Sequence, residues 1–248
     1  MFYSNLASKH FITGTFNYNK VDNFGIAEIN TKSPLKATHI LDYNHNAELD
    51  IEFDYGDMCT CSVSQRIGDI ELYIATFEVL LPYDIDDLII YVNDFFTGHN
   101  KKVINVYKDP SGNHMRNRKN QIYGPRTLDK LKEFGWYVID KCPHGTNNPA
   151  HNDKHYLINL ILRENNNKFP AIRIIRETNL NLEASLNVAP LIVKVNQDNV
   201  KTLFKDKSSE KKLDLQDKPS RSTDHSDHFD IKLWHKYSYL LPGLNSRF

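Results

Sequence analysis

Ala171-Ile172-Arg173-Ile174-Ile175, entered through Phe169-Pro170 and left through Asn179-Leu180-Asn181-Leu182, is the stretch that decides the fold. An apolar, branched run this short, opened by a proline and closed by polar residues, predicts a buried strand rather than a helix. Reading back from it, the rhythm alternates. Residues 70–79 are strand-like, and residues 84–96 place Ile85, Leu88, Ile89, Val92 and Phe96 on one helical face. Val103-Ile104-Asn105-Val106-Tyr107 is again a strand, and residues 125–134 form a helix with Pro125 in its first turn and Gly135 as its stop. Trp136-Tyr137-Val138-Ile139-Asp140 follows, then a helix over 152–164 capped by Asn152, and Pro190-Leu191-Ile192-Val193-Lys194-Val195 adds a fifth strand. Strands alternating with helices predict an α/β fold with a mostly parallel sheet and flanking helices, whose chemistry lies at the carboxyl ends of the strands.

Upstream, residues 11–63 break into short β-like runs (11–16, 25–29, 37–41, 47–53 and 58–63) separated by Asn, Asp and Gly clusters, which predicts an N-terminal antiparallel β extension. Within it Leu49, Ile51 and Phe53 alternate with Glu48, Asp50, Glu52 and Asp54. That strand has one buried face and one acidic face; the acids read first as a solvated surface, with a metal group as the alternative. Downstream, residues 205–227 are rich in Lys, Asp and Ser and read as a flexible tail. The last segment, 229–241, regains Trp234, Tyr237, Tyr239 and Leu240, and is expected to dock on the domain or on a protein partner. The chain thus divides into 1–69, 70–204 and 205–248.

Composition narrows the function. Lysine plus arginine numbers 31 and aspartate plus glutamate 31, so no global field points to a nucleic acid or a membrane, and any basic surface must be local. The ten glycines are isolated, with no Gly-x-Gly, which disfavours a phosphate-cradling nucleotide loop. The start has no secretory signal pattern and the apolar runs fall short of the roughly 20 residues of a membrane span, so a cytoplasmic or nuclear protein without a membrane partner is expected. Cys59, Cys61 and Cys142 do not make a disulfide scaffold. Cys142, His144, His151 and His155, near Asp153, could form a zinc site, against the simpler reading of histidines in a solvated loop.

The order Gly135-Trp136-Tyr137-Val138-Ile139-Asp140, His144-Gly145, Asn152-Asp153-Lys154, then Ala171 to Ile175 and Asn179-Leu180-Asn181-Leu182, resembles the NYN branch of the PIN-like nucleases over residues 70–195. The resemblance implies an RNA-metabolism protein whose strand ends hold Mg²⁺ for endoribonuclease chemistry. By position, Asp153 matches the helix-start acid of that family, Glu78 its first acid, and Asn179 and Asn181 stand where it has paired aspartates, with Leu182 in place of an aromatic residue. The implied metal ligands are Asp153 and Glu78, with Glu177 as partial compensation and the two asparagines orienting the metal's water. Because an asparagine carbonyl carries no charge, the resemblance implies a weakened enzyme or a pseudoenzyme that binds RNA. Lys108, Arg116, Arg118 and Lys119, with Lys101 and Lys102 nearby, form the local basic patch expected to take RNA phosphates. The competing reading is a protein-protein interaction module using the β extension and the aromatic C-terminal segment as its surfaces.

Overall fold

The computed structural model describes residues 1–17, 36–195, 199 and 201–241; the expected strand at 25–29 lies outside them. Seven strands make one sheet: β1 (Phe11–Ile12), β2 (Leu49–Asp54), β3 (Met58–Ile67), β4 (Ile70–Leu80), β5 (Val103–Lys108), β6 (Tyr137–Asp140) and β7 (Ala171–Ile175). Their order is β1-β7-β4-β3-β2-β5-β6. The helices are α1 (Ile85–Phe95), α2 (Tyr123–Glu133), α3 (His151–Arg163), α4 (Leu180–Val188), α5 (Lys218–Arg221) and α6 (Asp224–Tyr237). The sheet is mostly parallel with helices on its faces; only the β2–β3 and β3–β4 pairs run antiparallel.

Those two pairs correct the expected organisation. Strands β2 and β3 do not form a separate N-terminal sheet: they lie at its centre, with β2 paired to β5 on one side and β3 on the other. Consequently β3 and β2 stand between β4 and β5 in the sheet. The expected fifth strand also leaves the sheet. Strand β8 (Leu191–Val195) pairs antiparallel with β9 (Lys201–Lys205) in a separate hairpin. At residues 37–41 a short 3₁₀ turn, Ala37–His39, replaces the expected strand.

One face of the sheet is apolar. Leu49, Ile51 and Phe53 of β2, Cys61 and Val63 of β3, Ile74 of β4, and Ile104 and Val106 of β5 bury against Ile85, Leu88, Ile89 and Val92 of α1 and Leu131 of α2. Asp84 caps α1, its side chain accepting from the Asp86 amide while Asp87 reaches back to the Asp84 amide. On the opposite side, α3 and α4 share a second cluster with α6 through Leu157, Ile161, Leu182, Leu186, Phe229 and Leu233. No helix among the described residues is long and apolar enough to cross a membrane.

The acidic face of β2 is not solvated. Asp50 and Glu52 are buried because α6, whose first residues fall in the stretch read as a flexible tail, packs over β2, β3 and β5. A charged face can be covered only if its charges are paired or neutralised, and α6 brings what is needed. Lys232 donates to Glu71 Oε1 at 2.7 Å and to Ser64, and Lys236 donates to Glu71 Oε2 at 2.8 Å and to Asp50. The Tyr237 hydroxyl donates to Glu71 Oε2 at 2.5 Å. The Glu52 carboxyl has no hydrogen-bond partner among the described residues, and burial pushes it well above the usual range. Trp234 and Tyr237, expected to dock on the domain or on a partner, are buried within the chain.

Candidate metal centre

Strands β2 and β5 run parallel in register, with Phe53 opposite Lys108, so the next residues, Asp54 and Asp109, leave the sheet side by side at its carboxyl edge. The Asp109 amide still donates to the Phe53 carbonyl, at 3.2 Å. Local packing fixes both. Tyr55 stacks on Tyr123 with ring centroids 5.0 Å apart and shares a 3.2 Å hydrogen bond with Thr127, while Asp109 Oδ1 accepts from the Ser111 amide at 2.7 Å. Gly112 lies against that ring, and a Cβ there would sit 2.2 Å from the Tyr55 Cε2 atom. Gly112→Ala should therefore displace Tyr55, cost about 1–3 kcal/mol as overpacked sites do, and disturb both acid-bearing strand ends; urea unfolding measures the first effect.

The first turn of α6 arrives over this edge. Ligand oxygens of Asp54, Asp224 and Asp227 all lie within 4.8 Å of one another, and Asp227 shares with Asp54 and Asp109 a cleft of about 330 Å³. Hard-cation oxygen ligands lie about 2.0–2.6 Å from their ion, so oxygens this close can share one. Lysines also converge there. Lys205, at the end of β9, donates to Asp227 Oδ1 at 2.8 Å and to the Ser226 hydroxyl at 2.9 Å, and pairs with Asp230 Oδ2 at 2.7 Å. Lys207 pairs with Asp227 Oδ2 and lies 3.9 Å from Asp224 Oδ1. His151 and Lys154 of α3 complete the rim.

Electrostatics follow from the crowding. Burial, and then the neighbouring Asp227 charge, push the Asp54 carboxyl well above its usual range. Burial also raises Asp224. For Asp227 burial acts upward too, but the Lys205 and Lys207 ammoniums outweigh it and hold the carboxyl low. An all-oxygen set of crowded carboxylates is the donor type that suits a hard divalent cation.

The residues expected from the sequence lie elsewhere. Asp153 is in the first turn of α3 and lines a neighbouring cavity with Trp234 and His235, outside the carboxylate group. Glu177 accepts from the Gly14 amide at 3.0 Å. Asn179 is buried, donating to the Ile175 carbonyl at 2.8 Å and accepting from Thr76 at 2.6 Å, which ties the end of β7 to β4. Asn181 donates to Glu78 Oε1 at 2.8 Å, so those two do meet, with the buried His225 3.6 Å from Glu78. Lys108 is a correction: it is wholly buried and donates to Asp140 at 2.5 Å and to the Cys142 carbonyl at 2.6 Å, so it presents no charge to a phosphate. Lys119 pairs with Asp84 at 3.0 Å, and Arg116 donates to the Asn120 carbonyl at 2.6 Å; Arg118 is exposed. The zinc alternative is not assembled, because His144 packs on His114, His151 on Phe204 and His155 on Phe2.

Glu78 yields a prediction of its own. Burial lifts its carboxyl to about 6, from an ordinary value of 4.5, despite the Asn181 hydrogen bond. Between pH 4.5 and 6 the folded chain keeps a proton that the unfolded chain has lost, so stability falls as pH rises through that window, by about 2 kcal/mol. Glu78→Gln should flatten this fall, as read by urea midpoints at pH 4.5 and pH 8.

Comparison with protein-family profiles gives no match, and no curated protein matches. Among solved structures, the chain is similar to the large terminase of a thermophilic bacteriophage in two crystal forms. TM-scores are 0.54 and 0.52, identity is 10% in both, and the alignments cover 97% and 95% of this chain and 44% and 45% of that one. The Thermus phage P74-26 large terminase nuclease domain aligns at a TM-score of 0.49 and 10% identity over 96% of this chain and 94% of that domain. The chain spans less than half the length of the terminase it matches first. At this identity the likeness to that terminase shows the fold alone, a mixed α/β architecture with a mostly parallel central sheet. The PIN/NYN topology implied by the resemblance lacks that support.

Proposed function

We propose that this chain is a divalent-metal-dependent nuclease that hydrolyses phosphodiester bonds of a polynucleotide, with Asp54, Asp109, Asp224 and Asp227 holding the cation. The observation that carries the reading is the convergence of Asp54 with Asp224 and Asp227, from opposite ends of the chain, at the carboxyl edge where Asp109 also emerges. The lost charge inferred from Asn179 and Asn181 does not weaken this centre, because neither residue belongs to it. When bound, the cation supplies Lewis-acid polarisation of a phosphoryl oxygen and a water of lowered pKa.

The chain's own residues do the rest. Lys205, only 5% exposed, fixes Oδ1 of Asp227, while Oδ2 pairs with Lys207. His151, Lys154 and the hairpin residues Phe204 and Lys205 also line the cleft, where Lys154 and Lys205 pair with Asp230 and so offset part of its negative charge. Tyr55, braced by Tyr123 and Thr127, limits the motion of Asp54. The expected substrate class is nucleic acid; RNA, expected from the NYN resemblance, is one arm of the test and DNA the other. Purified chain incubated with each polymer should cleave at least one in Mn²⁺ or Mg²⁺ and neither in a chelator. Cleavage unaffected by chelation, or none of either polymer, would count against the reading.

A further inference from the structure

The cation position at this centre is already contested by a group of the chain itself. Lys207 sits in the turn that follows β9, and its ammonium pairs with Asp227 Oδ2 and faces Asp224 Oδ1 at 3.9 Å, among the oxygens that would share an ion. Its neighbour in the hairpin behaves differently. Lys205 is 5% exposed and anchored by Asp227, Ser226 and Asp230 together, whereas the Lys207 side chain is 46% exposed and has only the acidic group as its partner. Lys205 belongs to the wall of the site, and Lys207 reaches in from solvent.

We propose that Lys207 is a tethered counter-cation that latches the acidic centre closed until a divalent ion displaces it, coupling metal entry to release of the 206–210 turn. The inference rests on the metal-centre reading above and assigns its regulation. The physical basis is charge. Carboxylates brought this close repel one another unless a cation lies among them. A single positive charge on a flexible stem meets that need without a metal, while a divalent ion meets it better and costs the latch its partner. Within the turn the Glu210 amide donates to the Lys207 carbonyl at 3.2 Å and the Ser208 amide to Asp206 at 2.9 Å, and its two ends are anchored by the Asp206 amide on the Pro190 carbonyl at 3.0 Å and the Thr223 amide on Glu210 at 2.8 Å, so 207–209 can open between fixed ends.

Competition of this kind reduces apparent metal affinity by the fraction of time the site is open. If the latch is open about a tenth of the time, removing it tightens binding about tenfold. The test titrates Mn²⁺ calorimetrically into the full chain and into Lys207→Ala, with the exposed Lys212→Ala as a control for loss of one positive charge in the same segment. Amide hydrogen exchange at 208–210 is followed in the parent chain with and without Mn²⁺. The expected results are about tenfold tighter Mn²⁺ binding by Lys207→Ala, a change under about twofold for Lys212→Ala, and faster exchange at 208–210 in the parent once Mn²⁺ is bound. Equal or weaker binding by Lys207→Ala overturns the latch and leaves the metal centre standing. Tighter binding with no change in exchange also overturns it, since the effect is then only that of a removed charge. If neither protein binds Mn²⁺, both the latch and the metal centre fall.

Discussion

Asp54→Asn is expected to lower metal-dependent cleavage by about 10³-fold or more, since a cation's several kcal/mol of charge stabilisation corresponds to that many decades. Asp54 is the one carboxylate of the cleft that is both on the central strand and within reach of the α6 acids. Removing its charge should weaken the metal site while sparing the fold. Burial and the Asp227 charge both disfavour a charge on Asp54, so a neutral amide removes an unfavourable charge from the metal-free chain. The unfolding free energy without metal should therefore stay within about 0.5 kcal/mol of the parent. What should disappear is the rise in thermal midpoint that Mn²⁺ gives the parent, because a ligand stabilises only the state that binds it. Asp153→Asn serves as the counterpart. Lying outside the carboxylate group, Asp153 should be replaceable with metal-dependent cleavage retained, and loss of cleavage there instead would return the centre to the place that the NYN resemblance gave it.

The second large effect concerns the buried charges that seat α6. Lys232 is wholly buried, pairing with Glu71 at 2.7 Å and lying 3.8 Å from Asp50. Lys232→Met should cost about 3–5 kcal/mol, because it strands buried carboxylates whose desolvation is no longer offset. By contrast Lys132→Ala, which breaks an exposed pair with Asp129, should cost under about 1 kcal/mol. Adding Glu71→Gln to Lys232→Met should restore part of the loss, since the unpaired charge goes with it. The sign with pH is opposite to that of Glu78. Burial alone would raise Glu71, but Lys232 and Lys236 outweigh it and hold the carboxyl at about 2, below its ordinary 4.5. The paired state is fully present above pH 4.5 and is lost as pH falls from there toward 2. Urea unfolding of the four chains at pH 7 and pH 4 measures both effects. Because α6 carries Asp224 and Asp227, a chain that loses this pairing should also bind Mn²⁺ less tightly.

Much of the α/β framework was legible in the residues. Apolar periodicity placed β4, α1, β5, α2, β6, α3 and β7 to within a few residues, since each buries a conventional hydrophobic stripe. Topology was not legible. Residues 49–67 carry the alternation of a sheet with one wet face, and nothing local says that a helix about 170 residues later covers that face. That helix was misread because its buried side is polar. Its first turn, Asp224 to Asp227, falls in the Lys-, Asp- and Ser-rich stretch from 205 to 227, which reads as unable to repay its ordering entropy, and the buried His225, His228 and Lys232 replace the usual leucines. Its partners are the very acids that made β2 look solvated: two apparent surfaces are wet in sequence and dry when joined.

The same separation hid the site. Asp54, Asp109 and Asp227 come from a strand end, a strand exit and a distant helix, and no fixed spacing connects them. Two local signals were nevertheless present. Asp224 and Asp227 are three residues apart and so share a helix face, while Asp54 ends one apolar-alternating strand and Asp109 directly follows another. The alternative of a metal among the acids of β2 named Asp54, but treated Asp50 and Glu52 as its equals. Only position along the strand distinguishes them: Asp50 and Glu52 point beneath α6, and Asp54 points past its N-terminal turn into the cleft. Glu78 and Asn181 do touch, yet as a strand-to-helix hydrogen bond two strands away from β2.

The most direct test of the account is an anomalous-scattering map from crystals of the full chain soaked in Mn²⁺. The account predicts a peak bounded by Asp54, Asp224 and Asp227 on the side of the cleft where Asp109 emerges, with the Lys207 side chain turned away from it. A peak at Glu78 or Asp153 instead, or an empty carboxylate cluster under saturating Mn²⁺, would contradict it.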